Sequence, residues 1–204
     1  MVLSPRSAKK REQILQAAGK LFIEVGYAVS MDQIAEAAQV SKQTVYAHFK
    51  TKDELFETCV KSRCESNRQH GHLIDDPRPI RQALLDFALK FHYMMLSPEV
   101  MSTYRTAVSQ VDSHPDLGRT YVKAGPEPTT KMVQEYLEFK QTQGLFPSDK
   151  NMQHAALQFM LMIHGQAVYW RMLGVDIGQS EEELEAYMVS AIEVILQGYS
   201  LKEG

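Results

Sequence analysis

Apolar residues recur along this chain at helical spacing, and no convincing alternating run bounded by hairpin turns breaks that pattern. Ile14, Leu15, Ala18, Leu21, Phe22 and Val25 form one stripe, which Gly26 ends. Ser30 with Gln33 reads as a capping box opening a short helix that carries Ile34, Ala35 and Ala38. After Val40, Ser41 caps a second short helix, about 42 to 49. It turns Val45 and Phe49 inward, one turn apart, and leaves Lys42, Gln43, Thr44, Tyr46 and His48 outside. Thr51 with Glu54 opens a third helix that runs past Cys59 and Cys64 and ends near Gly71.

Past the break between Asp75 and Pro79, Ile80, Leu84, Phe87 and Phe91 share a face. Ser97 caps the next helix and Pro98 occupies its first turn; His114 and Pro115 break it, and a short helical piece covers 116 to 124. Gly125, Pro126 and Pro128 precede a helix bearing Met132, Val133, Tyr136 and Leu137, stopped by Gly144 and Pro147. Two long helices close the chain, 148 to about 173 and 180 to about 199, the last opened by a Ser180/Glu183 capping box. The class is all-α.

With 204 residues, the chain suffices for one large domain or a small one joined to a larger. Two cysteines, Cys59 and Cys64, are too few and too close for a disulfide framework, which suits a reducing compartment. Lys9, Lys10 and Arg11 are followed by Glu12 and Gln13 instead of the apolar run of a signal peptide, so a cytoplasmic protein is expected. No Asp, Glu, Lys or Arg lies between Lys150 and Arg171, but Asn151, Gln153, His154, Gln158, His164 and Gln166 do. That polar load argues against a membrane span and for a helix buried on most sides.

Charge is uneven. Through Lys52, eight basic residues face four acidic ones, a net of +4, while the rest of the chain carries −7. A basic head on an acidic body binds a polyanion with one end only. Two short helices joined by a tight turn at Gln39 to Ser41, set on a longer first helix, describe a helix-turn-helix, whose second helix enters the DNA major groove. The side chains suit that task. Lys42 suits guanine O6 and N7, Gln43 suits adenine N6 and N7, and Thr44 offers a hydroxyl and a methyl. Tyr46, His48 and Lys52 are donors for phosphate oxygens, and Ser30 heads an anion-favouring helix start.

The stretch "ILQAAGKLFIEVGYAVSMDQIAEAAQVSKQTVYAHFKTKDELF" resembles the DNA-binding domain of the tetracycline-repressor (TetR) family, with "ILQAAGKLF", "GY", "IAEAAQVSKQTVYAHF" and "KDELF" at family positions. The resemblance implies an all-helical homodimer, a ligand-responsive regulator that usually represses transcription. It places base reading on Lys42, Gln43 and Thr44, and phosphate contacts on Ser30, Tyr46, His48 and Lys52. The family's turn commonly carries a glycine where this chain has Gln39–Val40. "YRTAVSQVDSHPDLGRTYVKAGP" is similar to the C-terminal domain of the AefR-like subset, with Gln110 where a glutamate is expected.

The expected layout is therefore a DNA-binding domain over 1–52, a linking helix over about 52–71, and an effector-binding and dimerisation domain over 72–204. Nine of the eleven methionines lie beyond residue 70, and such adaptable side chains suit a pocket for assorted apolar molecules. His92, Met95, Met101, Tyr104, Arg105, Met160, His164, Tyr169 and Trp170 are the candidate lining, a mostly apolar set with a few polar groups. Ala155, Phe159, Leu184, Met188, Ala191 and Ile195 are the candidate dimer face, a two-helix surface that forms a four-helix bundle across a twofold axis. Such a dimer reads a near-palindromic double-stranded operator, and a small, largely apolar effector releases it by favouring misaligned heads.

Three rivals accompany this reading. A metal or thiol-redox sensor would use Cys59, Cys64, His70 and His72, yet their spacing fits no common zinc pattern, and helical residues five apart sit about 140° apart. An all-α enzyme lacks a glycine-rich phosphate loop, a nucleophile elbow and a His-Glu-x-x-His run. A DNA-binding protein without an effector matches the same head. No cofactor, metal ion or membrane partner is expected.

Overall fold

The computed structural model describes the backbone over residues 4–68 and 73–200, and the side chains over 4–62 and 73–200. The Cys64 side chain, His70, Gly71 and His72, invoked above for a sensor or a helix end, lie outside the described residues. Ten α-helices and two short 3-10 turns are present among the described residues, with no strand. They are α1 (Pro5–Glu24), α2 (Met31–Ala37), α3 (Lys42–His48), α4 (Lys52–Arg68), α5 (Ile80–Leu96), α6 (Pro98–Ser109), α7 (Pro115–Ala124), α8 (Pro126–Thr142), α9 (Met152–Met172) and α10 (Glu181–Tyr199). No described helix is long and apolar enough to cross a membrane.

Two compact units emerge. The first joins Met1–Asn67 to Pro98–Pro126, and the second joins Arg68–Ser97 to Glu127–Gly204. This grouping differs from the division expected at 52 and 72, because α6 packs on α1. Ser102 Oγ donates to the Ile23 carbonyl at 3.0 Å, and Leu117 and Ala124 of α7 join the same core as Phe22, Tyr27 and Phe56. Long-range packing of this kind has no local signature in a sequence.

In the first unit, Val29, Ile34, Val45 and Phe49 are fully buried, and each contributes roughly 1.5–3 kcal/mol by leaving water. The expected caps form. Ser30 and Gln33 make a reciprocal capping box on α2, and Ser41 Oγ accepts from the Thr44 amide on α3. On α4 the Thr51 hydroxyl accepts from the Glu54 amide, but the Glu54 carboxylate reaches one residue further back, to the Lys50 amide at 2.8 Å. The second unit packs α5, α9 and α10 pairwise around Leu84, Phe159, Met188 and Ile192. Pro126 and Pro128 stand in the first turn of α8, where the missing amides would have no helical partner anyway. The last long pair begins at Asn151, not Ser148: Asn151 Oδ1 accepts from the His154 amide.

Three helix ends share one geometry. After α8 and α9 the chain reverses through Gly144 (φ 82°) and Gly174 (φ 83°), with bonds from Leu145 N to Lys140 O and from Val175 N to Trp170 O. After α2 the same pair of bonds forms, Val40 N to Ala35 O and Gln39 N to Glu36 O, but the left-handed residue is Gln39 (φ 54°). A side chain there costs about 1–2 kcal/mol, partly offset in comparison with glycine by a less flexible unfolded chain.

At the base of α4, Lys52 Nζ donates to the carbonyls of Tyr27 (2.7 Å) and Val29 (3.3 Å) and lies 4.2 Å from the centre of the Tyr27 ring. Burial pulls its pKa below the usual lysine value.

Two stability predictions follow from these positions. Gln39→Gly should raise unfolding stability by about 0.5–1 kcal/mol, whereas Gln39→Val should lower it by more than about 1 kcal/mol. Equal urea midpoints for all three chains would contradict the strain. Lys52→Met, which keeps the stem but not the ammonium, should cost about 1 kcal/mol, since solvent around the half-exposed group trims the usual value for such bonds.

Candidate nucleic-acid interface

The turn at Gln39 and the Ser41 cap decide which way α3 faces. With Val45 and Phe49 sunk into the core, Lys42, Gln43, Tyr46 and Ala47 are left exposed, and Thr44 and His48 half-exposed. These are the expected base-reading and phosphate-contacting residues, brought onto one short helix. Their individual settings differ. Lys42 Nζ pairs with Asp32 of α2 at 2.8 Å, which raises its pKa and turns it toward α2. Thr44 Oγ1 shares a 2.8 Å hydrogen bond with Ser41 Oγ. Among the described residues Gln43 and Tyr46 carry no side-chain hydrogen bond or ion pair, and both are exposed.

Two of the expected phosphate contacts are committed elsewhere. Ser30 Oγ donates to Gln33 Oε1 at 3.0 Å and accepts from the Gln33 amide, so its hydroxyl serves the helix start. Lys52 spends two of its three N–H groups on the Tyr27 and Val29 carbonyls, leaving one for a phosphate oxygen. Both side chains therefore hold the head together as well as standing at expected phosphate positions.

The sequence reading assigned no role to Ser4, Arg6, Ser7 and Lys10. They line one wall of a cleft of about 430 Å³ whose other wall is Gln43, Thr44, Ala47 and His48 of α3. The signal was present in the chain as a basic run at the start of α1, counted above only as net charge.

Of the nine candidate pocket residues, Met101, Tyr104 and Arg105 fall on α6 in the first unit and the other six in the second. Arg105 and Tyr169, both expected to line the pocket, are exposed within one chain. In the second unit, α9 breaks at Gly165 (φ 67°, ψ 169°), a conformation reserved for glycine, and this break left no trace in the hydrophobic pattern. In an unbroken helix the Met162 and Ile163 carbonyls would accept from amides four residues on. Here the Tyr187 hydroxyl of α10 donates to Met162 O at 2.7 Å, and the buried His92 ring of α5 is hydrogen-bonded to the Ile163 backbone. Burial lowers the pKa of both His92 and His164 below the usual histidine value. Among the described residues His92 Nδ1 has no hydrogen-bond partner, and the ring also borders a cavity of about 110 Å³ with Tyr93, Leu96, Ala167, Arg171 and Leu184.

The candidate dimer face also needs correction. Ala155, Phe159, Leu184, Met188, Ala191 and Ile195 are each at most 5% exposed within one chain, so a partner has nothing left to cover. Their helical stripe is the internal seam between α5, α9 and α10. Leu157, Leu161 and Val194, at 50%, 68% and 58%, are exposed apolar residues of the same two helices, as are Tyr169, Tyr187 and Val189. Cys59 is buried with its thiol toward the Leu15 carbonyl, and among the described residues no three His, Cys, Asp or Glu side chains converge on a metal position.

Comparison with known proteins bears on this arrangement. Residues 14–59 match the model for bacterial regulatory proteins of the tetR family, and residues 82–201 match that for the AefR-like transcriptional repressor C-terminal domain. A curated relative, the uncharacterised HTH-type transcriptional regulator YhgD of Bacillus subtilis (strain 168), is 26% identical over 141 residues, 68% of this chain and 71% of that protein. Among solved structures, a TetR-family transcriptional regulator from Mesorhizobium loti MAFF303099 superposes with a TM-score of 0.83 at 27% identity, covering 97% of this chain and all of that one. The flavonoid-responsive regulator FrrA gives 0.79 at 28% identity, covering 96% and 99%. The exposed helix α3, its capped and buried underside and the two matched segments agree: the chain belongs to the TetR family of DNA-binding transcriptional regulators, with an AefR-like C-terminal domain.

Proposed function

We propose that this regulator is a homodimeric repressor that reads a near-palindromic operator and is released from it by a small, largely apolar molecule. The observation carrying the reading is α3 itself, whose apolar side is fully consumed by the core while Gln43, Tyr46 and Lys42 stand in solvent. Lys42, Gln43 and Thr44 are assigned to base edges, and Tyr46 and His48, with the remaining N–H of Lys52, to phosphates. Lys42 must exchange Asp32 for its base, and the exposure of both partners makes that exchange inexpensive.

Dimerisation is assigned to the outer face of α9 and α10, through Leu157, Leu161 and Val194. Effector binding is assigned to the second unit around His92, Met95, Met160 and His164, beside the break at Gly165. The proposed switch is this broken helix, held by two side-chain bonds: a ligand that prefers a second arrangement of it would shift the population toward that arrangement. The flavonoid response named for FrrA supports a small organic effector here.

The test is a titration of the dimer with flavonoids and other apolar compounds, with and without an operator duplex selected from random sequence. A releasing effector weakens DNA binding by the same factor by which DNA weakens effector binding; a hundredfold factor is about 2.7 kcal/mol of coupling. Affinities that ignore each other would contradict ligand release. Leu161→Glu should yield monomers in analytical ultracentrifugation and reduce operator binding at least tenfold, since a monomer grips one half-site only; a dimer with full affinity would refute the assigned face.

A further inference from the structure

The opening of α1 is electrostatically unfavourable as a helix start. Arg6, Lys9, Lys10 and Arg11 fall within its first seven residues, and no acidic residue occupies its first turn. Cations at this end oppose the helix dipole, whose positive pole lies there. Arg6, in the first turn, weakens the helix slightly, and four cations so close together favour an anion from elsewhere.

Their surroundings distinguish them. The Arg11 guanidinium lies 4.9 Å from the centre of the Phe49 ring and is used in packing. Arg6 and Lys10, four residues apart and so on one side of the helix, instead face α3 across the cleft of about 430 Å³. Neither forms an ion pair among the described residues. The opposite wall is built from Gln43 with Ala47 and Thr44 with His48, two further pairs at helical spacing. Two of these four are base-reading candidates. Lys42 is turned away toward Asp32 and takes no part in the cleft.

We infer that this cleft seats one sugar–phosphate strand of the operator, with Arg6 and Lys10 holding the phosphates that flank the bases reached by Gln43 and Thr44. The inference rests on the DNA-binding reading and extends it. Base-edge readers on one wall and cations on the other fit a strand that runs between them, with its bases toward α3 and its phosphates toward α1. Small polar Ser4 and Ser7 and the exposed methyl of Ala47 leave the space between clear. The contact carries no sequence information; it fixes how deeply α3 sits in the groove.

The experiment uses the full-length protein and measures operator and random-sequence duplex affinity over a range of salt concentrations. The chains compared are wild type, Arg6→Gln, Lys10→Gln and the double variant, with Lys20→Gln, an exposed lysine at the far end of α1, as control. Each single variant removes two phosphate contacts per dimer, so the slope of log affinity against log salt should fall by about 2. Affinity should drop by a similar factor on both duplexes, and the thermal midpoint should stay level or rise. Lys10→Arg should retain the wild-type slope. An unchanged slope in the double variant overturns the inference, and so does a shift in base preference without loss on random DNA. If wild type itself shows no salt-dependent binding to any duplex, it is the underlying DNA-binding reading that fails.

Discussion

Tyr27 ties the DNA-facing head into one piece. Its ring stacks on Phe22 at 6.1 Å, meets Phe56 edge-on at 5.8 Å and His114 at 4.9 Å, and receives the Lys52 ammonium on its face. Its hydroxyl donates to the Asp53 carboxylate, and burial followed by Asp53 pushes the phenol pKa well above its usual range. One side chain thus joins α1, the base of α4 and the start of α7. Because Lys52 also grips the carbonyls that lead into α2, the orientation of α2 and α3 depends on the same knot.

That dependence sets the division of labour in the head. Residues that hold its geometry, Ser30, Lys52 and Tyr27, make their bonds inside the protein. Those proposed to meet DNA, Gln43, Tyr46 and Lys42, make among the described residues either no side-chain hydrogen bond or one exposed ion pair, Lys42 with Asp32. Rigid placement of a few free side chains keeps the ordering cost of recognition low. Gln39 shows what the geometry demands: the turn takes the left-handed conformation even where the chain supplies a side chain that disfavours it.

Much of this was legible in the chain because its causes are local. The capping boxes at Ser30 and Ser180, the glycine stops, and the inward pair Val45 and Phe49 all lie within one turn of the residues they act on. The break at Gly165 was not legible, since glycine within an apolar run is also tolerated in an intact helix; Tyr187 and His92, which serve its carbonyls, come from two other helices. The dimer face was misread for a related reason. Helical spacing identifies an apolar stripe but does not say whether α5 or a second chain covers it, and α5 does. The grouping of α6 and α7 with the head likewise depends on contacts some 80 residues apart in sequence, such as Ser102 with Ile23.

The second unit is built differently from the head. Its core is continuous, but α9 carries a break whose carbonyls are served by side chains, and an unpartnered buried nitrogen stands next to it. Leu161 and Tyr187 lie exposed on α9 and α10 near this break, on the face proposed above for dimerisation. On the proposed function, two copies of one rigid head sit at a fixed spacing on a duplex. Hydroxyl-radical footprinting of the purified protein on its selected operator tests this most directly. Two equivalent protected patches, related by a twofold axis and separated by whole turns of about 34 Å, are predicted. A single patch, or protection that ignores sequence altogether, would contradict it.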